Sequence, residues 1–130
     1  MGLTQVYKGL GTSTAFVKKY GDIFYDQSST GNALLKIRGN IVFLGSSTSK
    51  ALMNLRGNQV FSGSGTNNCL YTIKGNLVYK GAGTSTALYN ISRRAIYKGS
   101  SVSKMEANWT GSQLSTIDIA CLVWLLQYNT

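Results

Sequence analysis

Apolar and polar positions recur along this 130-residue chain with a period of 18. One column holds Tyr7, Tyr25, Phe43, Phe61, Tyr79 and Tyr97, and the column before it holds Val6, Phe24, Val42, Val60, Val78 and Ile96. Adjacent β-branched and aromatic positions suit a pleated, half-buried surface, so each pair marks a strand. Two residues after the aromatic stands Gly9, Gly45, Gly63, Gly81 or Gly99, with Gln27 the exception, and then a polar run such as Gly83-Thr84-Ser85. That is a turn. The chain returns through Ala15, Ala33, Ala51, Cys69 and Ala87, followed by Phe16, Leu34, Leu52, Leu70 and Leu88. Leu35, Met53, Tyr71 and Tyr89 come next, then polar Lys36, Asn54, Thr72 and Asn90, then Ile37, Leu55, Ile73 and Ile91. This alternation has period two and predicts a second strand. It stops at Gly21, Gly39, Gly57 and Gly75, and Gly-Asn between two strand patterns is a hairpin signal.

Each repeat therefore predicts strand, loop, strand and tight turn, with five clear copies over about residues 5–91 and the first strand of a sixth at 95–99. The sixth copy then lapses, because Met105 and Glu106 stand where Ala and Leu are expected. A lone hairpin is marginal in water, so the copies must stabilise one another by packing. The expected fold is all-β, with five to six 18-residue β-hairpin repeats arranged around an axis. A parallel β-solenoid is the alternative, although no apolar residue recurs every six positions: Val78, Thr84 and Asn90 follow one another at that spacing. The predicted layout is a single domain over 1–130, with hairpin repeats over 5–113 and an apolar C-terminal element over 114–130.

That element is apolar without interruption from Ile119 to Leu126, far short of the roughly 20 residues a membrane helix needs. With Ser115 or Thr116 as N-cap and Asp118 near the positive end of the dipole, it reads as a helix buried against the repeats, or as a closing strand. The competing reading makes Trp124, Leu125 and Leu126 an oligomer interface or a membrane-surface anchor.

The unit Val78-Tyr79, Gly81, Ala87-Leu88-Tyr89 and Ile91 resembles the four-fold beta flower domains of bacterial proteins over roughly residues 5–99. The resemblance implies short hairpins set like petals about an axis, and it implies no activity or catalytic residues. The chain departs from that pattern in its longer Gly-Thr-Ser-Thr loop and in having more than four copies.

Composition narrows the function classes. With 43% apolar and 13% charged residues the chain is globular, and fifteen Gly with no Pro call for many turns of positive φ. The absence of His removes the commonest acid–base group, and Asp22, Asp26, Glu106 and Asp118 occupy different repeat columns, so no paired-carboxylate site is expected. Cys69 and Cys121 are too few for a zinc site and are expected as free thiols. Gly81-Ala82-Gly83 lacks the Lys-Ser/Thr ending of a phosphate loop. The expectation is a non-enzymatic protein with no cofactor.

Thirteen Lys and Arg against four acids give +9, which favours a polyanionic partner: nucleic acid, anionic glycan or lipid headgroups. The plainer explanation is Lys used to blunt sheet edges. Two basic columns stand out, Arg38, Arg56 and Lys74 before the tight turn, and Lys8, Lys80 and Lys98 after the aromatic. Lys36, Arg93 and Arg94 complete the polyanion candidates. Thr12, Ser13, Thr14, Thr84, Ser85 and Thr86 are the glycan-contact candidates. Two functions follow as expectations: a repeat module that binds a polyanion or glycan, or an assembly protein that homo-oligomerises through hairpin edges or its apolar segment. No signal-peptide pattern opens the chain and no transmembrane segment is expected, so the default location is cytoplasmic.

Overall fold

The computed structural model of the chain describes residues 3–9, 15–26, 33–45, 50–100, 104–111 and 114–128. Strands β1 (Leu3–Lys8), β2 (Ala15–Tyr20), β3 (Ile23–Asp26), β4 (Ala33–Arg38), β5 (Ile41–Leu44) and β6 (Ala51–Arg56) form the first half. The second half consists of β7 (Gln59–Ser62), β8 (Cys69–Lys74), β9 (Leu77–Lys80), β10 (Ala87–Ile91), β11 (Ala95–Lys98) and β12 (Met105–Thr110), followed by helix α1 (Thr116–Tyr128). Every strand pairs antiparallel with its sequence neighbours, and β1 pairs with β12, so the sheet closes into a barrel. The closed antiparallel barrel sets the solenoid aside.

Both strands of the sixth hairpin form and pair, contrary to the sequence expectation. Strand β12 pairs Met105 with Tyr97 and Ala107 with Ile96, just as Ala87 pairs with Tyr79 and Tyr89 with Val78. The ladder is made by backbone groups, so the side chains at positions 105 and 106 do not decide it. The Gly45 N–H donates to the Leu34 carbonyl (2.8 Å), and Gly63, Gly81 and Gly99 donate likewise to Leu52, Leu70 and Leu88. The ring is completed by Gly9 N–H donating to the Glu106 carbonyl at 2.9 Å.

A register shift recurs within each loop-linked hairpin, between the buried residue and the aromatic that follows it. Val6 faces Val17 while Tyr7 faces Ala15, which leaves Phe16 as an extra residue. Such a bulge lets two neighbours on one strand turn toward the core. Phe16, Leu34, Leu52, Leu70 and Leu88 thus join the packing behind the buried ring of Val17, Leu35, Met53 and Tyr71. The first strands add Val6, Phe24, Val42, Val60, Val78 and Ile96, all buried. The aromatic column points the other way and is half-buried on the outer face.

Helix α1 fills the interior. Twelve strands spaced by about 4.8 Å give an untilted backbone radius of about 9 Å, and tilt widens it; a helix with its side chains is about 10–12 Å across. An eight-stranded barrel is filled by its own side chains, but a twelve-stranded one leaves an axial space that must be occupied. Ile119, Ala120, Cys121, Leu122, Val123, Leu125 and Leu126 are all buried, and they form one cluster with the inward residues of the strands. A helix apolar on every face needs such a surround. Trp124 is half-buried and packs against the same cluster. Leu125 and Leu126 are therefore inside the barrel and not on a surface open to a second copy. Among the described residues no helix is long and apolar enough to cross a membrane.

Both helix ends are tied. Ser115 is the N-cap: its backbone N–H and its hydroxyl each donate to Asp118 Oδ2 at 3.0 Å, and its carbonyl accepts from the Ile119 N–H. Asp118 Oδ1 lies 3.4 Å from Lys19 Nζ on β2. At the far end the Tyr71 hydroxyl donates to Gln127 Oε1.

Candidate functional site: the cationic end of the barrel

Antiparallel alternation puts the tight turns at one end of the barrel and the longer connections at the other, among which 63–68 and 81–86 are described. Arg38, Arg56 and Lys74 end β4, β6 and β8, and Arg93 and Arg94 form the turn between β10 and β11, so these five exposed cations share the turn end. Equivalent positions lie two strands apart, about 10 Å around the rim. Asp22 is the one acid in these turns, and Tyr20, 53% exposed, takes the place of the cation in the first repeat.

The two basic columns do not converge. Lys80 and Lys98 are exposed at the loop end, while Lys8 is half-buried with its Nζ 5.0 Å from the centroid of the Phe16 ring. Lys36 sits mid-strand on the outer face, opposite Phe43. Thr84, Ser85 and Thr86 are exposed at the loop end, and Thr12, Ser13 and Thr14 lie outside the described residues.

The polar column between the inward positions has a structural task. Asn54 Nδ2 donates to the carbonyls of Gly63 and Gly65, both at 2.9 Å; the Thr72 hydroxyl donates to Gly81 O and Asn108 Nδ2 to Gly9 O. Each links one hairpin to the loop of the next, which is why Asn54 and Thr72 are buried although they face outward.

The fifth tight turn differs from the others. In the Gly-Asn turns only the first central residue has positive φ, 64° at Gly39 and 63° at Gly57 and Gly75, the type II′ pattern. Arg93 and Arg94 both have positive φ, 50° and 59°, the type I′ pattern, with Ser92 and Ala95 exchanging backbone hydrogen bonds at 2.9 and 3.0 Å. Left-handed conformations in two successive arginines store about 2–4 kcal/mol, at about 1–2 kcal/mol each.

Beside this turn is an open cleft of about 710 Å³, lined by Arg93, Arg94, Tyr97, Met105, Asn108 and Trp109 among others. A second cavity of about 260 Å³ shares Arg93, Arg94 and Trp109 and reaches Ser115, Thr116 and Ile119 at the helix start. No acid lines either cavity among the described residues. Trp109 is 4% exposed, and its indole Nε1–H has no acceptor among the described residues. Leaving a buried donor unpaired costs about 1–3 kcal/mol.

Two residues of this end were legible only as column outliers. Lys19 and Trp109 occupy the inward column of Ile37, Leu55, Ile73 and Ile91 at multiples of 18, so a charge and a large indole replace aliphatic side chains there. Elsewhere, burial and the nearby Asp118 push the Cys121 thiol well up from its usual range, with Lys19 opposing, so it stays protonated. Burial, with Glu106 nearby, raises the Tyr89 phenol. No cluster of three or more metal-ligating His, Cys, Asp or Glu occurs among the described residues.

Residues 6–122 match the family described as 6-fold beta flower protein. The six-fold number agrees with the six hairpins and corrects the four-fold number of the resemblance drawn from the sequence. No curated protein and no solved structure matches the chain.

Proposed function

The chain belongs to the 6-fold beta flower family, and from that premise we propose that it is a non-enzymatic module that binds a polyanion across the turn end of its barrel. The observation that carries this reading is the placement of Arg38, Arg56, Lys74, Arg93 and Arg94, exposed at one end on four consecutive turns, with Asp22 the one acid in the tight turns and the buried Asp118 of the helix start already held by Ser115 and Lys19. Cations held about 10 Å apart on a rigid rim act as an array, so individually weak contacts add. Tyr20, exposed in the same column, offers a planar face on which a base can stack. The alternative of self-assembly through hairpin edges lacks support, since β1–β12 pairing leaves no free edge among the described strands.

The test is binding of oligo-dT and heparin as salt is raised. If all five rim cations engage single strands, log K falls against log salt with a slope of about −3.5. In Arg38→Ser/Arg56→Ser/Lys74→Ser two cations remain, and the slope shrinks to about −1.4. All three side chains are exposed, and although Arg56→Ser removes the bond from Arg56 Nε to Asn54 Oδ1, the Asn54 bonds to Gly63 and Gly65 stay, so the variant keeps its fold. Absence of binding at low salt, or an unchanged slope in the triple variant, refutes the reading.

A further inference from the structure

We propose that the cleft between the Arg93–Arg94 turn and β12, which shares those two arginines with the rim, is a pocket for a small phosphate or carboxylate carried on an aromatic body, such as an aryl phosphate or a nucleoside monophosphate. Three independent features converge on it. The first is charge without compensation: two guanidinium groups border the cleft, and neither has an acidic or hydrogen-bonding partner among the described residues. Arginine presents a planar fork of donors that matches phosphate and carboxylate oxygens.

The second is the departure from the repeat. Four turns of this barrel use Gly at the first central position, and Gly satisfies a left-handed φ without steric cost. Only the fifth places arginines there, at φ 50° and 59°, and it is the turn beside the cleft. Folding would be served better by Gly-Asn, so the arginines answer to something other than the turn.

The third is the wall. Trp109 takes a column position filled elsewhere by Ile or Leu, with its indole N–H buried and lacking an acceptor among the described residues. Tyr97 and Met105 add an aromatic and a soft apolar surface, and the volume of about 710 Å³ fits a small molecule better than a polymer backbone. A bare inorganic anion would leave that apolar surface uncovered, so the ligand carries a ring.

The probes are phenyl phosphate, inorganic phosphate and AMP, titrated against the full chain by calorimetry with tryptophan emission as a second readout. Phenyl phosphate and AMP should bind at least tenfold more tightly than inorganic phosphate. Tyr97→Ala removes the aromatic surface of the cleft, and should weaken phenyl phosphate about tenfold while leaving inorganic phosphate unchanged. Arg93→Gly/Arg94→Asn writes the sequence of the other turns into this one, so it should fold at least as stably as the parent and lose phenyl phosphate binding by more than tenfold. The pocket shares Arg93 and Arg94 with the rim but not Arg38, Arg56 or Lys74: Arg38→Ser/Arg56→Ser/Lys74→Ser should retain phenyl phosphate affinity while weakening oligo-dT and flattening its salt slope, and Tyr97→Ala should weaken phenyl phosphate while leaving the oligo-dT slope unchanged. No measurable binding of phenyl phosphate, equal affinity for inorganic phosphate, or full affinity in the Gly-Asn variant would each overturn the assignment.

Discussion

Lys19 shows how much a single position can carry. Its column is aliphatic in the four following hairpins, yet here a cation enters the barrel and meets Asp118 at 3.4 Å, with 21% of the lysine and 8% of the aspartate side chain exposed. Lys19→Ile restores the column residue but strands the carboxylate, which keeps only its bonds to Ser115. The expected loss is about 2–3 kcal/mol, below the ~3–5 kcal/mol of a fully dry pair because Lys19 reaches solvent. Lys19→Ile/Asp118→Asn should be more stable than Lys19→Ile alone, since the neutral amide needs no counter-charge. Denaturant titration of the four members of that cycle measures the coupling, and additive effects would dismiss the pair as a stabilising contact. The sequence showed Lys19 only as an outlier in its column and Asp118 only as a helix-start acid. That they meet depends on the helix lying inside the barrel, which no residue spacing encodes.

Among the elements, the helix and the hairpins were legible to different degrees. The hairpins are written locally: period-two alternation, then in three of them Gly-Asn at a two-residue turn, as Arg38-Gly39-Asn40-Ile41 shows with Arg38 paired to Ile41. The bulge was not legible, because Ala33-Leu34-Leu35 reads equally as a plain strand, and only pairing reveals Leu34 as the extra residue. For α1, an apolar run with a cap at Ser115 left helix and closing strand both open. The closed sheet decides between them, since β1 already pairs with β12 and no edge is left for another strand. Leu122 is fully buried among strand residues, so Leu122→Ala should cost about 2–5 kcal/mol in denaturant stability. Removing 114–130 should abolish cooperative unfolding and give a state that binds a hydrophobic dye. A truncated chain that still unfolds cooperatively would show that the barrel stands without its axial filling.

For the whole molecule, closure changes the energetics of repetition. An open array gains stability by nearest-neighbour terms and frays from its ends. Here the first and last hairpins are joined by Gln5↔Thr110 through Lys8↔Ala107, by the Asn108 side chain on Gly9, and by the helix all of them enclose. Hydrogen exchange should therefore find the amides of β1 and β12 protected to within about tenfold of those in β6 and β7, with one global unfolding event. Early exchange confined to β1 and β12 would mean that the ring opens at its seam.

The period of 18, the two strands per period, the turn chemistry and the absence of His were determined by the sequence alone, because each is a local property of side chains and φ preferences. The count of six, the closure, the axial helix and the separation of the two basic columns to opposite ends were decided by the tertiary structure. Backbone pairing tolerates Met105 and Glu106 where side-chain pattern does not, and a twelve-stranded ring imposes an interior that something must fill. The Arg93–Arg94 turn, a plain basic pair in the sequence, became a cleft only when the barrel set Trp109 beside it.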